Sequence, residues 1–201
     1  MNIEKYHHGH LREALINEAC QQIEQEGATA LNLSKLAQKI GVSQPAVYRH
    51  FPNKQALAIS VAQRGFEQLA EALQKTTQDL ESDAFKSIKA VAKAYVEFAL
   101  NNPEIARLMF SMKERGTEPA LQNASSSAAV PIFRIVEAAH SCDRLRNNDV
   151  VQAVRIIWAT IHGLAMLLMD EQIPSVTQSP DELSEHIEAT ARTLHIGLFV
   201  M

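Results

Sequence analysis

Residues 33–54 read LSKLAQKIGVSQPAVYRHFPNK, and the fold follows from them. Leu33, Leu36, Ala37 and Ile40 recur at the three-and-four spacing of one helix face. Asn32 stands where an N-cap belongs, its short side chain able to accept from the orphan amides of the first turn. Gly41 follows the last apolar position, where a left-handed residue closes a helix without a Cβ clash. Val42 returns the chain to the core, and Ser43 caps a second helix over Gln44–Phe51. Two helices joined by a short turn containing glycine form a helix-turn-helix. The small side chain of Ala37 lets the second helix cross the first closely.

Charge points the same way. Residues 27–66 hold Lys35, Lys39, Arg49, Lys54 and Arg64 and no acid, so this stretch carries +5 in a chain of net charge −4. A cationic island on an acidic protein is the footprint of a phosphate-binding face. Within the second helix, Gln44 can bond a base edge, adenine bidentately. Pro45 and Ala46 offer small apolar surfaces suited to thymine methyl groups, and Pro45 is tolerated in a first turn whose amides lack intrahelical acceptors. Arg49 can face either a phosphate or a base, and His50 can reach a phosphate. Val47 and Phe51 are expected in the core. Asn53 caps the next helix, whose N-terminal amides suit a phosphate, and Lys54 adds a full charge there. With Asn32, Lys35, Ser43 and Tyr48 these complete the candidate DNA-contact set.

The run Leu36-Ala37, Gly41-Val42-Ser43, Val47-Tyr48-Arg49-His50-Phe51, Asn53-Lys54 and Leu57 resembles the TetR (tetracycline-repressor-type) family of transcriptional regulators. Tyr6-His7-His8-Gly9-His10-Leu11-Arg12 is similar to the opening of one TetR subgroup. Trp158 and His162-Gly163 are similar to the Trp-His-Gly signature of that subgroup's C-terminal domain. The resemblance implies that Tyr48 and Lys54 contact phosphate and that the arm at His8-Gly9 sets the first helix near the DNA backbone.

The remainder reads as helices, with no strand alternation. A first helix over His10–Glu26 carries Leu11, Leu15, Ile16, Ala19 and Ile23 on one stripe and stops at Gly27. A fourth runs from Lys54 to about Lys75. Ser82-Asp83 opens another, and Asn102-Pro103-Glu104 caps a short segment over Ile105–Met112. Residues 116–127 read as loop, and 131–140 carry Ile132, Ile135 and Val136 on a stripe. Val150–Met169 is apolar on nearly every face and should be buried all round, by core on one flank and a second subunit on the other. Ser179-Pro180-Asp181-Glu182 is a capping box opening the last helix. The fold class is therefore all-α: an N-terminal three-helix helix-turn-helix domain (1–56) and a larger helical effector-binding and dimerisation domain (57–201), about nine helices in all.

The composition, 46% hydrophobic and 21% charged, is that of a globular chain with a real core. Two cysteines, Cys20 and Cys142, have no nearby partner, which suggests a reducing, cytoplasmic setting. The apolar run Ile156–Met169 is short for a bilayer span. His7, His8 and His10 are close together but lack carboxylate or thiol partners, so no metal site is assigned. No catalytic set appears. His140 and Cys142 face different directions at a helix end, and no cofactor is implied.

In this family the body sets the spacing of two heads and encloses a pocket. The resemblance thus implies a homodimer on a palindromic double-stranded operator, released by a largely apolar small molecule. Candidate pocket residues are Tyr95, Phe98, Leu108, Met109, Met112, Phe133, Trp158, His162 and Met166, an adaptable set of methionine and aromatic side chains. Trp158 and His162 lie one turn apart, and His162 is read as structural in preference to a ligand contact. The candidate dimer interface is Val150, Val154, Ile157, Ile161, Leu183, Ile187, Ala191, Leu194 and Leu198. The alternative is a helix-turn-helix protein acting mainly through a protein partner.

Overall fold

The computed structural model describes residues 8–77, 83–113, 117–174, 176 and 179–200, with side chains from His10 onward. Tyr6, His7, Ser82 and Gly116 lie outside the described residues, as does the side chain of His8. Nine α-helices occur among the described residues: α1 (His8–Glu26), α2 (Leu33–Ile40), α3 (Gln44–His50), α4 (Lys54–Thr77), α5 (Ala84–Asn101), α6 (Pro103–Ser111), α7 (Pro119–Ser141), α8 (Val150–Met169) and α9 (Pro180–Leu198). Two compact units result. One comprises Met1–Gly65 with Asn102–Gln122, the other Phe66–Asn101 with Asn123–Met201. The units part within α4, beyond the domain boundary expected at 56/57, and α6 belongs with the first.

In the first unit α1 buries Leu11, Leu15, Ile16, Ala19 and Ile23, the stripe read from the sequence, and Gly27 ends it at φ 80°. Asn32 caps α2, its Oδ1 accepting from the amides of Ser34 (2.9 Å) and Lys35 (3.1 Å). Gly41 closes α2 at φ 76°, and the Val42 amide bonds the Ala37 carbonyl at 2.9 Å. Buried Gln22 of α1 holds the connection between α1 and α2, accepting from the Asn32 amide at 3.3 Å and donating to the Ala30 carbonyl at 3.2 Å.

α6 departs from the expected capping. Asn102 holds the N-cap position without a side-chain capping bond. The Glu24 carboxylate of α1 takes that role, accepting from the amides of Ile105 (2.9 Å) and Glu104 (3.3 Å). An acid at a helix N-terminus satisfies orphan donors and favours the helix dipole. At Gly65 a Cβ would come 2.5 Å from Met109 Sδ and 2.9 Å from Ile105 Cγ2, so α4 and α6 cross at a point where only hydrogen fits.

In the second unit α5 packs against α8 and α9. Ile88, Val91, Ala92, Tyr95, Val96 and Ala99 meet Ile157, Ile161, Leu164, Ala165 and Leu168 of α8 and Ile187, Ala191 and Leu194 of α9 in a common core. α9 begins as read: Ser179 Oγ accepts from the Glu182 amide at 3.3 Å. α7 does not. Residues 119–127, expected as loop, are helical, because Leu121, Ala124, Ala128, Ile132 and Val136 form one buried stripe. The serines lie off that stripe, and Ser127 Oγ bonds the Asn123 carbonyl at 2.9 Å within the helix.

α8 divides its faces. It covers one face in the core and leaves Val151, Ile156 and Leu167 exposed. At 20 residues it is long and apolar enough to cross a bilayer by length and composition alone, as core helices of globular proteins also are. Cys20 is half-buried and Cys142 exposed, both free thiols. Burial pushes the Cys20 thiol above its ordinary range, with Arg64 opposing.

Asp83 opens α5, its Oδ1 accepting from the Lys86 amide at 3.1 Å. That bond holds the carboxyl below the ordinary aspartate range, burial opposing. A folded-state value below the unfolded one stabilises above the unfolded pKa, about 3.9. The contribution is lost as pH falls through the folded value. Asp83→Ala is expected to cost about 1 kcal/mol at pH 7. The gap from wild type should narrow below about pH 4 in urea unfolding followed by circular dichroism.

Candidate nucleic-acid interface

α3 is fixed from its inner side. Val47 (0% exposed) and Phe51 (2%) are buried, whereas Tyr48 between them is 48% exposed. Gln44, Pro45 and Arg49 are exposed, and Ala46 and His50 are half-buried. Ser43 occupies the N-cap position in extended conformation without a side-chain capping bond. The outward row of α3 thus carries an amide, a phenol and a guanidinium, groups able to bond base edges and phosphates. Asn53 caps α4, its Oδ1 accepting from the Ala56 amide at 2.9 Å, and Lys54 Nζ donates to the Thr29 carbonyl at 2.5 Å. That bond holds an exposed ammonium at the start of α4, where backbone amides favour an anion.

The structure corrects the sequence picture of the island. Three of its five cations face carboxylates of α1. Lys35 lies 3.6 Å from Glu26, Lys39 lies 2.5 Å from Glu18, and Arg64 bonds Glu13 and Asn17. Among the described residues Arg49 and Lys54 are the members without a carboxylate partner. Asn32, also expected at the DNA, has its side-chain oxygen engaged in capping α2. Arg12 escaped the sequence reading: its guanidinium lies 5.3 Å over the Phe51 ring and donates to Ser60 Oγ at 3.1 Å. No local pattern announces such a contact, since its partners lie about forty and fifty residues away.

The nine pocket candidates divide between the units. Leu108, Met109 and Met112 belong to the first, where Met109 packs at Gly65 and Met112 Sδ lies 3.9 Å from Gln55 Nε2. Tyr95, Phe98, Phe133, Trp158, His162 and Met166 belong to the second. Tyr95 organises its part of the core. Its hydroxyl and His162 Nδ1 share a hydrogen bond at 3.0 Å, and its ring stands edge-on to Trp158 (5.5 Å) and His162 (6.2 Å). Both α8 rings thus pack on a buried tyrosine of α5. Phe133, by contrast, is 40% exposed on α7, a surface position in this chain. A shallow cleft beside the α7–α8 turn is lined by Arg146, Asp149, Gln152 and Ile156 among others, and none of the nine borders it.

Of the nine interface candidates, Ile157, Ile161, Ile187, Ala191 and Leu194 are buried in the chain's own core, because their stripes are the ones that pack on α5. Val150, Val154, Leu183 and Leu198 are half-buried. The apolar side chains left outside are Val151, Ile156 and Leu167 of α8, Ile196 of α9 and, just past it, Val200.

Residues 15–61 match the family model described as bacterial regulatory proteins, tetR family, and residues 88–191 match that described as tetracyclin repressor-like, C-terminal domain. A structure of a protein with unknown function from Rhodococcus sp. RHA1 is 32% identical, with a TM-score of 0.84 over 97% of this chain and 98% of that one. The uncharacterized HTH-type transcriptional regulator YobS of Bacillus subtilis is 21% identical over 96% of this chain and 94% of its own length. A singly substituted TetR from Acinetobacter baumannii AYE, solved in complex with minocycline, is 22% identical with a TM-score of 0.62, covering 92% of this chain and 91% of that one.

Proposed function

We propose, because this chain belongs to the TetR family of transcriptional regulators, that it is a ligand-responsive repressor binding a palindromic operator as a homodimer and acting by binding, without catalysis. The observation that carries the DNA assignment is the division of α3, with Val47 and Phe51 anchored inward and Gln44, Tyr48 and Arg49 turned outward beside Lys54. Ser43, Pro45, Ala46 and His50 complete the reading surface. Lys35 adds a phosphate contact from α2, the helix that crosses the backbone in this motif.

Exposed Ile156 and Leu167 on one face of α8, with exposed Ile196 on α9, support pairing through these two helices. Two heads about 34–36 Å apart would read successive half-sites. The effector is a largely apolar small molecule; that it is a small molecule at all is supported by the minocycline complex of the Acinetobacter relative. It would shift operator affinity by a coupling of roughly 1–3 kcal/mol. Two free cysteines fit a cytoplasmic setting.

Fluorescence anisotropy on DNA from upstream of the protein's own gene tests this reading. Binding near 10⁻⁸ M, on the order expected of specific complexes, should weaken steeply with salt and exceed binding to scrambled DNA by about 10³-fold or more. Equal, weak binding to both DNAs would count against specific regulation and for action through a protein partner.

A further inference from the structure

We infer that Glu26 is an intramolecular competitor for Lys35, occupying the place of a DNA phosphate, and that it tunes how much of the island's charge a duplex meets. The inference rests on the DNA-binding reading above. Lys35 stands in the first turn of α2, shortly after the cap at Asn32. Its ammonium lies 3.6 Å from the Glu26 carboxylate, with the two side chains 65% and 46% exposed. An exposed pair at this separation gains little over solvation and exchanges partners readily.

The other two α1 pairs are built differently. Lys39 lies 2.5 Å from Glu18, whose side chain is only 15% exposed. Arg64 is bracketed by Glu13 and Asn17 and is itself largely covered. The five cations therefore form a graded series. Lys39 and Arg64 are retained by carboxylates of α1, Arg49 and Lys54 face no carboxylate among the described residues, and Lys35 is exchangeable.

The consequence is electrostatic. Each lysine that neutralises a phosphate releases counterions and adds about 0.9 to the slope of log affinity against log salt. A lysine that must first leave a carboxylate returns part of that gain, because the abandoned acid recruits a cation. Glu26 thus lowers both the affinity for DNA of any sequence and its salt dependence. It leaves untouched the base-edge contacts of α3, which carry sequence information.

The test measures anisotropy of the full-length protein on a random-sequence duplex across a salt series. Glu26→Gln, Lys35→Gln, the double variant and Glu137→Gln are compared with wild type. Glu137 lies exposed on α7, so Glu137→Gln controls for net charge alone. Glu26→Gln should bind about 2–3-fold more tightly per head, with a slope steeper by up to about 0.9 per head. The gain should vanish in the Lys35→Gln background.

A Glu26→Gln effect no larger than that of Glu137→Gln, or one that persists without Lys35, would overturn the inference. Wild-type binding that Lys54→Ala abolishes, with Glu26→Gln silent, would overturn it alone. A wild-type protein with no salt-dependent binding would overturn the DNA-binding reading and this inference together.

Discussion

Gly65→Val is expected to destabilise the first unit by about 3 kcal/mol, the upper range for overpacking a filled core. The position is buried mid-helix, and even a bare Cβ would stand 2.5 Å from Met109 Sδ and 2.9 Å from Ile105 Cγ2. Met109 is fully buried and Ile105 nearly so, so neither can swing into solvent. Gly65→Ala is the graded companion. It gains about 1 kcal/mol of helix propensity against an overpacking cost of about 1–3 kcal/mol. A small net loss should follow. Urea unfolding followed by circular dichroism would rank the three proteins. A Gly65→Val protein as stable as wild type would show that α4 and α6 do not approach so closely.

The second large effect belongs to DNA binding. Tyr48→Ala and Lys54→Ala should each weaken operator binding about 10-fold per head, since a hydrogen bond involving a charged group contributes about 1.5 kcal/mol. A homodimer would lose about 100-fold, both heads being altered. Lys54→Ala should also reduce the salt slope by about 1 per head, whereas Tyr48→Ala should leave it near wild type. Both residues are exposed, so thermal unfolding should be nearly unchanged. Normal affinity in both variants would remove α3 and the start of α4 from the interface.

What could be read from the sequence was what short-range chemistry determines. Asn32, Gly41, Asn53 and Ser179 mark helix ends through bonds spanning a few residues, and each stands where its local pattern puts it. Val47, Tyr48 and Phe51 were separable because one helix of known phase carries all three. Two failures are long-range. Nothing near Glu24 in sequence shows that it caps α6, because its partners lie about eighty residues away. The +5 island could be counted, but not its pairing with α1, which depends on how α1 lies along α2 and α4.

Ser125-Ser126-Ser127 misled for the opposite reason. A strong local turn preference yields to the buried stripe of Leu121, Ala124 and Ala128, whose burial outweighs it. On α8 and α9 nearly every face is apolar, so periodicity could not say which stripe meets α5 and which stays outside.

The two cysteines differ enough to be told apart by reagent. A thiol reacts as its thiolate, and burial has raised the value for half-buried Cys20 in α1. Cys142 sits uncovered in the turn after α7. A maleimide dye added in slight excess at neutral pH should therefore attach to Cys142 first. The protein then carries a fluorophore at one chosen point of its second unit with no substitution made, ready to report on whatever binds there.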